Sequence, residues 1–293
     1  MTSVPKYPAE DDKLRASSLE KRRGGNVANS LEVLQQLSSS SGRSVDFTLI
    51  CPLPSPTSQA TESVKKSFGP SVDLSLALYR EASSEAASSF IIKSIESGSR
   101  TIVNYNNLDE MTLQEFQTRI TSAPAGQRTW YHFEGRIPET SVACIRWLRM
   151  AYPDAVVSVE AEKPAREGLE AMAAEADVVF FSKSWAQASG SDDLRSFLNA
   201  QAGIMKKAKL LSCTWGGEGA AVIRPDDGFY HHEPAFVDSQ KQVVDTVGAG
   251  DTFVAGMLHK LITSDEADVP GALAFANKLA GRKVLQVGFA DLA

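Results

Sequence analysis

The chain has 293 residues, of which 43% are hydrophobic and 23% charged, and its formal net charge is −6. This composition is typical of a globular protein with one large domain or two small ones, and it excludes a disordered chain. The negative charge argues against a nucleic-acid-binding protein, which needs a concentrated basic surface. No apolar run approaches the roughly 20 residues that cross a membrane. Three scattered cysteines and an N-terminus without a signal-peptide pattern predict a reduced, cytoplasmic protein.

The N-terminal part of the chain predicts short strands and one helix. The first 23 residues are polar and predict either a tail or a short hairpin. A glycine-rich segment then leads into helical apolar spacing over 28–38. The apolar run 47–51 predicts a short buried strand, and the loop after it is rich in proline and serine. Two strands separated by a turn are predicted within 84–104.

After residue 125, short apolar strands alternate with helices. The predicted strands are 130–133, 155–159, 177–181, 210–213 and 220–223. The predicted helices are 139–151, 164–175, 192–206, 250–263 and 269–286. This alternation predicts βαβ units, and hence an α/β fold with a doubly wound, mostly parallel sheet that has helices on both faces.

A glycine-containing segment at the start of the helix 250–263 has the pattern of a phosphate site. Gly248 and Gly250 allow backbone amides to face a ligand without an intervening Cβ, and a helix N-terminus adds amides and the positive end of a dipole. Asp251 lies beside this anion site, where a carboxylate can accept a proton from an attacking hydroxyl during phosphoryl transfer. From spacing alone, a plain tight turn with Asp251 in the first helical turn explains the pattern equally well.

Two motifs resemble those of the ribokinase-like (PfkB) sugar kinases. They are the segment 245–253, with the sequence DTVGAGDTF, and the segment 24–29, with the sequence GGNVAN. Further stretches in the same order along nearly the whole chain resemble the ketohexokinase branch of that family: 6–11, 99–103, 132–136, 159–164, 178–183 and 286–289.

The resemblance implies a kinase core and a small β-sheet lid. The core would comprise residues 24–83 and 105–293, and the lid residues 1–23 and 84–104. A lid sheet with an exposed edge and outer face is expected to pair with a second copy, which predicts a homodimer. Asp11 corresponds to an acidic residue that in ketohexokinases reaches the sugar of the neighbouring subunit.

The implied activity is ATP-dependent phosphorylation of a primary hydroxyl on a sugar, with fructose to fructose 1-phosphate as the leading case. The resemblance makes Asp251 the general base and places the anion hole at Gly248, Ala249 and Gly250. The residues that it assigns to the sugar and the transferred phosphate are Gly25, Asn26, Asn29, Asp11, Arg100 and Glu134. Asparagine amides both donate and accept hydrogen bonds, which suits a polyol. The alternative is that Asn26 and Asn29 cap the helix that they begin.

ATP is the implied cosubstrate, and the residues assigned to it are Thr214, Gly216, Gly217, Gly219, Ala274, Asn277 and Gly288. Helix packing explains the last three equally well. Magnesium is expected to arrive on the nucleotide, so no protein ligands for a metal are predicted. In relatives, residues like Asp245 and Thr246 help to hold a monovalent cation such as K⁺, and a plain strand-end role is the alternative here. His231 and His232 are predicted to lie in a turn rather than in a metal site.

Two departures from the ketohexokinase pattern affect the expected function. Ketohexokinases begin with an apolar strand that ends in a sugar-binding aspartate, and no such segment precedes the 6–11 motif, so a first core strand is expected to be missing. The segment 38–60 is rich in serine and proline where relatives have a glycine-rich turn. Two alternatives therefore remain: a kinase of the same family for ribose or a nucleoside, and a catalytically silent relative that binds nucleotide.

Overall fold

A computed structural model of the chain describes residues 1–42, 45–122, 129–236, 238, 242–264 and 268–293. The strands, in chain order, are β1 (Thr2–Val4), β2 (Ser18–Leu19), β3 (Phe47–Thr48), β4 (Pro52–Pro54), β5 (Val72–Asp73), β6 (Leu78–Arg80), β7 (Ser88–Ser94), β8 (Arg100–Tyr105), β9 (Trp130–Glu134), β10 (Val156–Ala161), β11 (Val178–Phe181), β12 (Leu210–Thr214), β13 (Ala220–Ile223) and β14 (Tyr230–Glu233). The helices are α1 (Asn26–Ser41), α2 (Gln59–Phe68), α3 (Leu113–Thr121), α4 (Pro138–Ala151), α5 (Leu169–Ala173), α6 (Lys183–Ala188), α7 (Leu194–Ile204), α8 (Ala249–Thr263) and α9 (Val269–Lys283). The chain divides into two compact units, Met1–Gly25 with Thr48–Met111 and Asn26–Phe47 with Thr112–Ala293.

The first unit contains a four-stranded sheet with the order β2-β1-β7-β8. The first 23 residues contribute the antiparallel pair β1–β2, so they form a hairpin rather than a tail. β1 also runs parallel to β7, which pairs antiparallel with β8. Every residue of β8 is exposed. The segments predicted to form a lid thus share one sheet, and residues 48–83 belong to the same unit.

The second unit is built on a six-stranded sheet with the order β14-β13-β12-β11-β10-β9. The strands from β9 to β12 are parallel, and β13 and β14 are added antiparallel at one side. All residues of β11 and β13 are buried. Because successive residues of a strand face opposite sides, complete burial shows that both faces of the sheet are covered. The predicted α/β fold is therefore confirmed.

Three helices of the second unit, α1, α8 and α9, carry residues of the predicted site. α8 packs against both α1 and α9. At Gly256 of α8, a Cβ would collide with the backbone of Ala276 on α9, so glycine permits a very close helix contact. α1 buries Leu31, Leu34 and Leu37 at the spacing of one helical face. These contacts bring the N-terminal ends of α1 and α8 together.

Some predicted elements differ from the structure. His231 and His232 lie in β14 and not in a turn, because the preceding turn closes earlier, with Arg224 N donating to Phe229 O at 2.9 Å. The predicted helix 164–175 is reduced to α5, which begins after Gly168 in the left-handed conformation. Conversely, α1 continues through the serines that follow residue 37.

The expectation that a first core strand is missing is not tested by this topology and stays a prediction. Among the described residues, no helix is long and apolar enough to span a membrane.

Candidate active site

The N-terminus of α8 is shaped by a glycine in the left-handed conformation. Gly248 is the N-cap residue with φ 81°, and a Cβ at this position would collide with the ring of Phe289. By contrast, the space around Gly250 is open, since beyond its chain neighbours and its own helix backbone no heavy atom lies within 4 Å of where its Cβ would be. The first-turn amides of a helix have no intrahelical acceptors, and they attract anions together with the helix dipole. An anion can thus approach the first turn of α8 at Gly250.

Asp251 lies in this first turn and is bound by side chains from α1. Its carboxylate is buried, with 7% of the residue exposed. Asn29 Nδ2 donates to Asp251 Oδ2 at 2.6 Å, and Ser30 Oγ donates to the backbone oxygen of Asp251 at 3.0 Å. The structure therefore joins two of the predicted site residues, Asp251 and Asn29, by a direct hydrogen bond.

A second group of carboxylates lies at the ends of the parallel strands β9 and β10. Asn26 Nδ2 donates to Glu160 Oε1 at 3.3 Å and to Glu162 Oε2 at 3.0 Å. These residues border a cavity of about 50 Å³. The residues that line it are Asn26, Glu134, Gly135, Glu160, Glu162, Lys163 and Arg166. The carboxyl ends of parallel strands are the usual place for ligands in α/β proteins, and this cavity conforms to that rule.

Burial and crowding perturb the acidic residues of the cavity. Burial raises the pKa of Glu160 well above its usual value, and the nearby charges of Asp251, Glu134 and Glu162 raise it further. Burial is also the main reason why the pKa of Glu134 is raised, against the opposing effect of Arg136. Both shifts favour protonated carboxyl groups, which can donate a hydrogen bond to a ligand oxygen.

The residues predicted to bind ATP lie on β12, the turn after it, α9 and the C-terminal segment. Thr214 ends β12, and Gly216 and Gly217 form a short 3₁₀ turn. Gly219 has φ 101°, and a Cβ there would collide with the backbone at Glu233 and Pro234. Gly219 therefore permits a close approach between this turn and the backbone that follows β14.

The predicted ATP residues on α9 have structural surroundings of their own. Asn277 Nδ2 donates to Glu233 O at 2.8 Å, so this amide ties α9 to the end of β14. Ala274 is half-buried one turn earlier on the same helix. Gly288 has φ 74° and open space around it. The helix-packing alternative is thus directly visible for Asn277, and a nucleotide-binding role of these residues stays a prediction.

Three predicted residues belong to the first unit. Asp11 is exposed with φ 62°, Arg100 is exposed at the start of β8, and Gly25 has φ 98° directly before α1. Their assigned roles in sugar and phosphate binding stay predictions.

Two carboxylates near the cavity, Glu160 and Glu162, were not predicted from the sequence. The signal that could have revealed them is their alternation at the end of a buried strand, since acidic residues are rarely tolerated there without a function. Among the residues that the structure describes, no group of three or more His, Cys, Asp or Glu side chains could hold a metal ion.

Comparison with known proteins identifies the family. Residues 2–292 match the family described as "pfkB family carbohydrate kinase". The chain belongs to this family. It is therefore an ATP-dependent carbohydrate kinase. Mouse (Mus musculus) ketohexokinase is 32% identical over 294 residues, which cover 98% of this chain and 92% of the mouse protein.

Solved structures of related kinases share the fold of this PfkB protein. The ribokinase of Giardia lamblia superposes with a TM-score of 0.78 at 14% identity, over 99% of this chain and 91% of the ribokinase chain. A sugar kinase from Pyrococcus horikoshii, whose structure was determined in complex with ATP, has a TM-score of 0.70 at 17% identity, over 98% of this chain and 91% of that kinase. A nucleoside kinase from Methanocaldococcus jannaschii has a TM-score of 0.73 at 18% identity, with 99% and 89% covered. These structures confirm the ribokinase-like fold.

Proposed function

We propose that this kinase transfers the γ-phosphoryl group of ATP to a primary hydroxyl of a ketose, with fructose as the first candidate and fructose 1-phosphate as the product. The observation that supports it most is the 2.6 Å hydrogen bond from Asn29 to the buried carboxylate of Asp251. It brings an amide suited to a polyol beside a proton acceptor at the N-terminus of α8. The 32% identity to mouse ketohexokinase favours a ketose over other sugars.

In the proposed reaction, Asp251 accepts the proton of the attacking hydroxyl. The sugar oxygen forms a bond to the γ-phosphorus while the bond from that phosphorus to the β–γ bridging oxygen breaks, and ADP leaves. We propose that the amides of the segment from Gly248 to Gly250 stabilise the negative charge on the moving phosphoryl group. Asn29 holds the Asp251 carboxylate in place during the transfer.

On the sugar side, we propose that Asn26, Asn29 and Glu134 contact the hydroxyl groups. Asn26 lies at the cavity together with Glu134, and polar lining of this kind suits a polyol. The proposed sugar contact of Gly25 and Asp11, and the phosphate contact of Arg100, depend on the family motifs. A guanidinium group suits a phosphate because it presents paired donors.

On the nucleotide side, we propose that the turn 214–219 and the residues Ala274, Asn277 and Gly288 contact ATP. The open space at Gly288 and at Gly216 leaves room for a ligand against the backbone. Magnesium would enter with the nucleotide, because this ion retains phosphate oxygens and water as ligands, and it would neutralise phosphate charge.

We further propose that two copies of the chain associate through the four-stranded sheet of the first unit. Phe90 and Val103 lie opposite each other on β7 and β8 and are 62% and 58% exposed. An exposed apolar pair on a sheet is a typical element of a protein interface. In sedimentation experiments, the wild type should have about twice the monomer mass of 31.6 kDa. The double variant Phe90→Ser, Val103→Ser should shift toward the monomer.

The control for the dimer is Met150→Ser, which removes an exposed apolar side chain from α4 in the other unit. This variant should keep the mass of the wild type. A wild-type chain that is monomeric at all concentrations would refute the proposed dimer.

The kinase activity is tested by ADP release from ATP·Mg²⁺ with fructose, ribose, glucose and adenosine as separate substrates. Fructose-dependent turnover is expected, and Asp251→Asn should lower it by about 10²-fold or more, since this change removes the base and leaves the helix N-terminus intact. Turnover with only ribose or only adenosine would contradict the ketose proposal and support the alternative kinase for ribose or a nucleoside. ATP binding without turnover on any substrate would show a silent relative.

A further inference from the structure

Lys283, the last residue of α9, has a completely buried side chain. Its ammonium nitrogen donates to the backbone oxygen of Asp245 at 3.0 Å, to Asp245 Oδ2 at 3.1 Å and to the backbone oxygen of Gln286 at 3.3 Å. The ring of Phe289 lies 5.5 Å from the same nitrogen. A buried ammonium is costly unless it is paired and hydrogen-bonded, and three oxygens match its three donors. The surroundings of Lys283 are thus an enclosed cation site.

The acceptors of Lys283 belong to two segments that border the N-terminus of α8. Asp245 Oδ1 accepts from Val247 N at 2.9 Å and so shapes the turn that leads to Gly248. On the other side, Val244 N and Asp245 N both donate to the backbone oxygen of Val284, at 2.8 and 3.2 Å. Lys283 therefore fastens the turn before the proposed anion hole to the chain that follows α9.

The segment that follows α9 also contacts the proposed anion hole directly. Phe289 packs so closely against Gly248 that a Cβ on the glycine would collide with the ring. The backbone oxygen of Phe289 accepts from Gln36 Nε2 of α1 at 2.8 Å. A shift of either segment would therefore move Gly248, the residue at which α8 begins.

In relatives, residues like Asp245 and Thr246 help to hold a monovalent cation, and Asp245 is the residue that Lys283 binds here. An ion such as K⁺ at Asp245 would compete with the ammonium of Lys283, which already binds the carboxylate and the backbone oxygen of this residue. Two cations on one set of oxygens repel each other strongly in a buried environment. The residues present therefore do not fit K⁺ beside Lys283.

We infer that Lys283 is a tethered cation that positions the anion-hole turn of this kinase, in place of an exchangeable monovalent ion. The inference rests on the proposed role of Gly248 to Gly250 in binding the transferred phosphoryl group. Its consequence is that catalysis and ATP affinity of the wild type are independent of K⁺.

The test measures ADP release and ATP affinity in tetramethylammonium buffer, with KCl or NH₄Cl added at constant ionic strength. Wild-type values should stay constant within about twofold. Lys283→Ala opens a space lined by the three oxygens, so activity and ATP affinity should fall by about tenfold or more and recover saturably with NH₄⁺ or K⁺. Lys283→Met fills that space with an apolar chain, and it should show the loss without the recovery.

Lys278→Met is the matched control, because it removes an exposed lysine from the same helix. It should behave as the wild type does in every salt. Activation of the wild type by K⁺ of several-fold would overturn the inference. A folded Lys283→Ala variant whose defect no cation relieves would also overturn it, since the lysine would then act by packing alone.

Thermal unfolding and ATP affinity keep the test independent of turnover. Cation-specific stabilisation of Lys283→Ala, with none in the wild type, supports the tethered cation even if no sugar is phosphorylated. In that case the proposed function fails and the inference about ATP binding remains. Should both alanine and methionine variants fail to fold, K⁺ dependence of ATP affinity in the wild type still decides the question.

Discussion

Two buried carboxylates of the second unit, Asp251 at the N-terminus of α8 and Glu160 near the end of β10, have opposite surroundings. Their exposed fractions are nearly equal, 7% and 8%. Asp251 receives a 2.6 Å hydrogen bond from Asn29 and lies in the first turn of a helix, where the dipole favours negative charge. Glu160 receives a longer bond, 3.3 Å from Asn26. Burial is the main cause that raises the pKa of Glu160, and the neighbouring carboxylates, Asp251 among them, raise it further.

The difference shows that burial alone does not decide what a carboxyl group can do. Hydrogen-bond donors stabilise a charged carboxylate, whereas neighbouring carboxylates favour the protonated form. Asp251 is therefore suited to accept a proton from a hydroxyl. Glu160 is suited to hold a proton and donate it in a hydrogen bond to an oxygen of the ligand. The two environments are complementary for the proposed reaction, in which one hydroxyl of a polyol is deprotonated and the others are bound.

Removal of the donor to Asp251 is expected to have the larger effect. Asn29→Ala should lower kcat/KM for the accepted sugar by about tenfold or more, because a hydrogen bond to a charged group contributes roughly 1.5–3 kcal/mol. Steady-state ADP release measures the loss. A melting curve close to that of the wild type shows that the variant is folded.

Ser39→Ala serves as the control for Asn29→Ala, because Ser39 is exposed near the other end of α1. It should leave kcat/KM unchanged within about twofold. Equal activity of Asn29→Ala and the wild type would show that Asp251 needs no hydrogen-bond donor from α1. The different surroundings of Asp251 and Glu160 would then not matter for catalysis.

The sequence predicted several strands of the second unit's sheet well because these strands are short and buried. The predicted strands 177–181 and 220–223 correspond to β11 (Val178–Phe181) and β13 (Ala220–Ile223), and all residues of both are buried. Complete burial makes such strands continuous apolar runs, which are visible without tertiary information. The helix α8, which begins within the GAGD motif at 248–251, was predicted for the same reason, since it is buried over most of its first three turns.

Elements that depend on tertiary contacts were missed. β4 contains Pro52 and Pro54, which predict a loop, yet the strand pairs with β6 in parallel. α2 follows a serine-rich stretch, and its beginning depends on Ser58, whose side chain accepts a hydrogen bond from Thr61 N. Neither pairing nor capping of this kind is apparent from apolar spacing.

Part of the candidate site was assigned from motifs in the sequence, and the distant partners of the motif residues were not. Asp251, Asn29 and Asn26 were assigned from the sequence, and the structure places Asn29 on Asp251. Asn26 binds Glu160 and Glu162, and both of these residues lie more than 130 residues away from it in the sequence. Lys283 was missed for a similar reason, because a lysine in a helical pattern predicts an exposed side chain and burial depends on the Asp245 turn.

The smaller expected effect concerns Glu160 and the dependence of stability on pH. A carboxyl whose pKa is raised in the folded state stabilises the fold most below its unfolded pKa, and this contribution is lost as the pH rises through the folded pKa. Glu160→Gln keeps the size of the side chain and cannot ionise. At neutral pH it should increase the free energy of unfolding by on the order of 1 kcal/mol, and the gain should shrink toward pH 4. Thermal or denaturant unfolding over this pH range measures the difference.

Comparing the variant with the wild type separates the effect of Glu160 on stability from that of His132, which also titrates in acid. Burial lowers the pKa of His132 to about 4, so both proteins lose stability as the pH falls from 6.5 toward that value, and the loss cancels in the difference. Glu167→Gln, an exposed change nearby, is the control and should give no pH-dependent gain. A gain for Glu160→Gln that is equal at acid and neutral pH would mean that Glu160 is ionised as readily as an exposed carboxyl. The carboxylates of the strand-end cavity would then form a charged cluster, and Glu160 could only accept a hydrogen bond from the sugar.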